Sequence, residues 1–183
     1  MYPDRLKDGY GLKNHHLDQM KEKNVDLVIT VDNGITSVQE ALYAKELGLD
    51  FLITDHHHQL DAIPEALAVV NPQVSPDYAC KGICGAAVVF KVICALMEKS
   101  SFSSTQKKEI FEYMLPIVSI ATVADCVPLI DENRVLVKRG LEIINRERHK
   151  IPPALDQMLK FLKITTDVES YHIGFVIGPR INA

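Results

Sequence analysis

The stretch VDLVITVDNGITSVQEALYAKELGLDFLITDHHH, residues 25–58, decides the fold. Its opening VDLVITV, residues 25–31, is a short, β-branched, nearly continuous apolar run. It stops at Asp32, Asn33 and Gly34, and that pattern reads as a strand buried on both faces. Thr36 or Ser37 is placed to cap the next segment, in which Val38, Leu42 and Leu47 recur at helical spacing until Gly48 ends it. DFLITD, residues 50–55, is a second apolar strand, and ALAVVN, residues 66–71, a third that Pro72 halts. Two such strands about 25 residues apart with one helix between them make a βαβ unit, so a parallel sheet is expected.

Upstream, Gly9 and Gly11 mark a loop, and Leu17, Met20 and Lys21 begin a polar helix. Downstream of Pro76 the chain turns helical. GAAVVFKVICALMEK, residues 85–99, is apolar nearly all round and is expected to be buried. SFSSTQ is a polar loop or cap. KKEIFEYMLPIVSIATVAD is a long apolar helix with Pro116 placed to kink or divide it. NRVLVKRGLEIINRE is amphipathic, and PPALDQMLKFL is a shorter helix with proline at its start. The expected fold class is therefore α/β, a Rossmann-like parallel sheet flanked by helices, with a helix-rich second half.

The 183 residues are 47% hydrophobic and 24% charged, which excludes disordered and collagen-like classes. The apolar runs are far too short for a membrane helix, and no basic-then-apolar leader is present. A cytoplasmic protein with no membrane partner is the expectation. The net charge of −4 argues against a broad nucleic-acid-coating face, though not against an enzyme that grips a few phosphates locally. Of the four cysteines, Cys80 and Cys84 are close but have no matching pair downstream, so zinc is the minority reading. Cys94 and Cys126 sit in apolar segments and read as small core residues.

In a parallel α/β sheet, ligands collect at the carboxyl ends of the strands. Asp32 ends the first strand, Asp55, His56 and His57 end the second, and Asp125 ends an apolar helix. Each has a plainer reading: an Asp-Asn-Gly turn, exposed histidines at a cap, a simple helix terminator. The recurrence across three elements is the stronger signal. Carboxylates with imidazoles suit Mn²⁺ or Mg²⁺, and a carboxylate shared by two such ions about 4 Å apart lets the pair activate water and stabilise a leaving oxygen, which is metal-assisted hydrolysis. His15, His16 and His149 lie among polar residues and are assigned to solvated surface.

VDNGI, TDHHH, ICGAAVVFK and ATVADCVPL, in that order, resemble the DHH-family phosphoesterases. The closing IGFVIGPRINA is similar to the RecJ branch, the single-strand-specific 5′-to-3′ DNA exonucleases. The resemblance runs from about Arg5 to Ala183. It implies that Asp32 is a ligand shared by two metal ions, His56 a metal ligand, and Asp125 another. It also implies that His57 lies against the scissile phosphate, that Asp55 orients the imidazoles, and that Arg180 and Asn182 contact phosphate. His58 matches no assigned role.

The family's first motif, Asp-x-Asp-Gly, has no counterpart, because no two aspartates of the chain stand two apart. The resemblance thus implies one partial catalytic domain over residues 1–183. Residues 1–80 form the βαβ part, and residues 81–183 the helical part with the last metal aspartate and the GPRINA block. The first strand motif and the second, DNA-gripping domain are missing, so the chain reads as an internal fragment of weak or no activity. The expected substrate of the intact enzyme is single-stranded DNA, in repair and recombination. Two other readings stand beside it. One is a family member acting on oligonucleotides, cyclic dinucleotides or pyrophosphate; the other is a non-catalytic scaffold or binding subunit.

Overall fold

The computed structural model describes residues 9–181. The chain divides into two compact units, residues 1–89 and 90–183.

In the first unit, helix α1 (Asn14–Glu22) precedes strand β1 (Leu27–Val31), helix α2 (Val38–Glu46), strand β2 (Asp50–Thr54) and strand β3 (Ala68–Val70). The three strands form one sheet in the order β1-β2-β3, and both pairings are parallel. Val31 lies opposite Thr54, and Thr54 opposite Val70, so all three strands finish at the same level. Leu12 and Leu17 from the α1 region, Ala41 and Ala44 from α2, and Val28, Phe51 and Ile53 from the sheet make one apolar cluster. Gly48 stops the α2 segment in the left-handed conformation at φ +66°, the backbone that glycine adopts without steric penalty.

The first strand corrects an expectation. Its residues alternate, with Val28 and Thr30 buried and Leu27, Ile29 and Val31 exposed. Helices cover one face of β1, and among the described residues nothing covers the other, so the apolar run reflects β propensity as much as burial. His16 also departs from its assignment to the surface, being 2% exposed. It is the third residue of α1, and its ring folds back so that Nδ1 accepts the Lys13 amide at 3.1 Å. His15 and His149 are exposed as expected.

Helix α3 (Gly85–Lys99) begins in the first unit and continues into the second. Gly85, Ala87, Val88 and Phe90 are buried, but Ala95 and Leu96 are exposed, so the expectation of burial is met mainly in its first half. The second unit continues with α4 (Ser104–Ala124), α5 (Asp131–Arg146) and α6 (Pro153–Phe161). It closes with a helical stretch over residues 170–181, π-wound at Ile173–Ile177. Ser103 Oγ accepts the Gln106 amide and Gln106 Oε1 accepts the Ser103 amide, a reciprocal cap that starts α4. Pro116 neither divides nor ends α4, whose 21 residues run through it unbroken. Gly140 on α5 seats against α4: a Cβ there would meet Ser119 Cβ at 2.5 Å and the Leu115 carbonyl oxygen at 2.6 Å.

Glu112 of α4 accepts from Arg139 at 2.9 Å and from Lys150 at 2.8 Å, and Glu147 pairs with the same two cations. The Lys150 ammonium, then the Arg139 guanidinium, hold the Glu112 carboxyl below its ordinary value. Among the described residues, no helix is long and apolar enough to cross a membrane.

Candidate metal centre

The site is built where β1 and β2 end side by side. The Asp32 amide donates to the Thr54 carbonyl at 3.0 Å and the Asp55 amide to the Val70 carbonyl at 3.1 Å, which carries the sheet ladder one residue past each strand. Thr54 Oγ1 donates to the Thr30 carbonyl at 2.6 Å and ties the two strand ends together. Asp32 then turns into the left-handed region at φ +62°, where Asp and Asn are tolerated far better than most residues. Gly34 follows at φ +110°, and a Cβ there would lie 2.7 Å from Thr30 Oγ1.

Asp55 is the anchor. It is 1% exposed. Its Oδ2 accepts the Ile35 amide at 2.9 Å, and its Oδ1 accepts the His56 amide at 2.7 Å and the His57 amide at 3.2 Å. The same Oδ1 lies 2.7 Å from His57 Nδ1. One carboxylate thus holds the loop after β1 and the loop after β2. Burial pushes its carboxyl up, but the Ile35 amide, the His57 ring and the His57 and His56 amides together bring it below the ordinary value.

With Nδ1 engaged by Asp55, His57 turns Nε2 outward on a ring that is exposed. His56 is largely enclosed, and its Nε2 stands 3.0 Å from Asp32 Oδ1. The two rings pack at 4.3 Å between centroids. Asp32, His56 and His57 each bring one donor atom within 4.8 Å of the others, and among the described residues they are the group that does so. An exposed carboxylate oxygen beside two imidazole nitrogens is a donor set that suits a divalent transition metal.

Asn71 and Gln73, to which the sequence alone assigns no role, hold the backbone of His56 and His57. Asn71 ends β3 and is fully buried. Its Nδ2 donates to the His57 carbonyl at 2.9 Å, and its Oδ1 accepts the Gln73 amide at 2.8 Å. Gln73 Nε2 reaches the His56 carbonyl at 3.4 Å and the Lys81 carbonyl at 2.9 Å. A signal for it exists: Asn71 closes the third strand as Asp32 and Asp55 close the first two.

Of the remaining candidates, Asp125 caps the C-terminus of α4 in the second unit, with its amide on the Ala121 carbonyl at 2.9 Å. It is exposed and precedes Cys126, which is left-handed at φ +56°. Cys126 is itself exposed rather than a core residue, because a helix-terminating turn carries it outward. Cys94 is half-buried, and Cys80 and Cys84 are buried free thiols. Arg180 is exposed, with Nη1 donating to the Val176 carbonyl at 2.7 Å. Asn182 lies outside the described residues, and His58 is exposed.

A profile of the DHH family, N-terminal domain, matches residues 1–122. The chain is 38% identical over 183 residues to the single-stranded-DNA-specific exonuclease RecJ of Bacillus subtilis, covering 99% of this chain and 22% of that protein. It is 34% identical to the enzyme of the same name from Salmonella typhimurium, covering 100% of this chain and 33% of the relative. The chain thus spans between about a fifth and a third of the length of these relatives. Among solved structures, the fold resembles exonuclease RecJ bound to manganese, with TM-score 0.81 and 32% identity over 98% of this chain and 43% of the other. It also resembles RecJ in complex with Mn²⁺ from Thermus thermophilus, with TM-score 0.75 and 31% identity over 93% of this chain and 24% of that one.

Proposed function

Because the chain belongs to the DHH family, we propose that it is part of a metal-dependent phosphodiesterase that hydrolyses single-stranded DNA, as its RecJ relatives are named for doing, with the 5′-to-3′ direction resting on the sequence resemblance. The observation that carries this is the gathering of Asp32, His56 and His57 at adjacent strand ends, with Asp55 buried behind them. In this reading Asp32 Oδ1 and His56 Nε2 hold a divalent cation, Mn²⁺ or Mg²⁺. The solved relatives contain Mn²⁺. Such a cation supplies Lewis acidity toward water and phosphate oxygen.

The chain's own groups have separate tasks. Asp55 accepts the Nδ1 proton of His57 and so orients the ring, and in the imidazolium form Nε2–H is the donor presented to a phosphate oxygen. His57 there stabilises negative charge that grows on the phosphoryl group. Asp125 as a further metal ligand, and Arg180 and Asn182 as phosphate contacts, rest on their motifs' resemblance. An exposed guanidinium is suited to a phosphodiester through paired N–H donors. The free thiols fit a cytoplasmic setting.

Calorimetric titration of the chain with Mn²⁺ tests this directly. Asp32→Asn and His56→Ala are each expected to weaken binding at least about tenfold. Mn²⁺ affinity indifferent to both substitutions would overturn the assignment. On single-stranded DNA the chain alone is expected to be weakly active or inactive, and a rate matching a full-length RecJ exonuclease would show that it is not merely a part. Preferential turnover of dinucleotides or pyrophosphate would redirect the substrate class.

A further inference from the structure

ICGAAVVFK, residues 83–91, carries part of the family resemblance yet contributes no donor to the site. Gly85, the first residue of α3, touches the site all the same. A Cβ built on it would stand 2.3 Å from Asp32 Oδ1, 2.5 Å from Asp32 Cγ and 2.7 Å from Asp32 Cβ. Non-bonded atoms settle at about 3.5–4.0 Å, so any side chain at position 85 and the present Asp32 side chain exclude one another.

Asp32 has little freedom to yield. Its amide is fixed on the Thr54 carbonyl at 3.0 Å, its backbone is left-handed at φ +62°, and its Oδ1 lies 3.0 Å from His56 Nε2. Position 85 itself is helical, so the turn-forming freedom that explains Gly34 and Gly48 does not explain this glycine. The first turn of the 15-residue α3 also brings the positive end of a helix to the carboxylate.

The structure assigns Gly85 as a positioning residue for Asp32: the side chain it lacks is the space in which the carboxylate stands. The assignment of a metal-binding consequence rests on the proposed function above; the steric assignment does not.

A double-mutant cycle with Gly85→Ala and Asp32→Gly in the 183-residue chain tests it. At a helical position alanine is otherwise the better residue, so a purely helical role predicts stabilisation by Gly85→Ala. The expectation here is the reverse, a fall in melting temperature of about 2–6 °C, and no fall when Asp32→Gly has removed the opposing atoms. If Gly85→Ala does not fold, recovery of the fold in the double variant supports the assignment equally. An equal fall in both backgrounds, or none in the parent, would overturn it.

Titration with Mn²⁺ alone adds the functional arm. Gly85→Ala is expected to weaken binding about 10- to 100-fold, and unchanged affinity would refute positioning of a ligand. If the parent's Mn²⁺ binding is itself insensitive to Asp32→Asn, the metal reading fails, while the melting cycle still decides the role of Gly85.

Discussion

At position 55 a single buried carboxylate receives three backbone amides and one imidazole, and the consequences can be measured. Asp55→Asn puts an amide nitrogen where an acceptor is needed, either toward Ile35 or toward the two histidines. Urea denaturation at neutral pH is expected to show a loss of about 1–3 kcal/mol. The pH dependence follows from the direction of the shift. The folded carboxyl lies below its ordinary value of 3.8, so its stabilisation is complete above that value and is lost as pH falls through the lower folded one. The Asn variant is expected to lose that part of the acid limb, and an unchanged limb would show that Asp55 does not set it. Much of this residue-scale arrangement is legible in the sequence. Asp32, Asp55, His56 and His57 stand where apolar runs stop, and a parallel sheet brings such stops together. Gly85 is not legible, since nothing in ICGAAVVFK reveals that its helix starts against Asp32. His16 misleads because polar neighbours in sequence say nothing about a ring that folds back on its own helix start.

Among the elements, strands and helices read well because period and stop signals are local. β1, β2 and β3 fall inside the apolar runs that mark them, and Gly48 stops α2 as expected. Burial reads less well, because it depends on what lies across from an element. The alternation in β1 and the exposed second half of α3 both show this. Pro116 is tolerated within α4, although its ring nitrogen has no proton to give the Glu112 carbonyl four residues earlier. The α4–α5 contact makes its own prediction. Gly140→Ala improves intrinsic helix propensity by about 1 kcal/mol, yet its methyl meets the Leu115 carbonyl, which is backbone and cannot rotate away. Overpacking of about 1–3 kcal/mol is expected to prevail, so guanidinium denaturation should show net destabilisation. A more stable variant would mean that the two helices separate at little cost.

Across the whole molecule, the described sheet is only three strands wide and one side of β1 carries Leu27, Ile29 and Val31 in the open. An edge strand with apolar side chains and no charge between Asp26 and Asp32 is a template for association. Ile29→Lys, at a residue 53% exposed, is expected to reduce concentration-dependent self-association in sedimentation velocity while costing less than about 1 kcal/mol of stability. Sedimentation that is unaltered would place any association elsewhere. The left-handed turn at Asp32 has a further consequence. Asn and Gly are at least as comfortable there as Asp, so the backbone is indifferent to whether a charge stands at that position. Cellular quality control, which reads folding and not chemistry, therefore exerts no pull toward aspartate, and a library sorted for solubility or protease resistance would let the site vanish unnoticed.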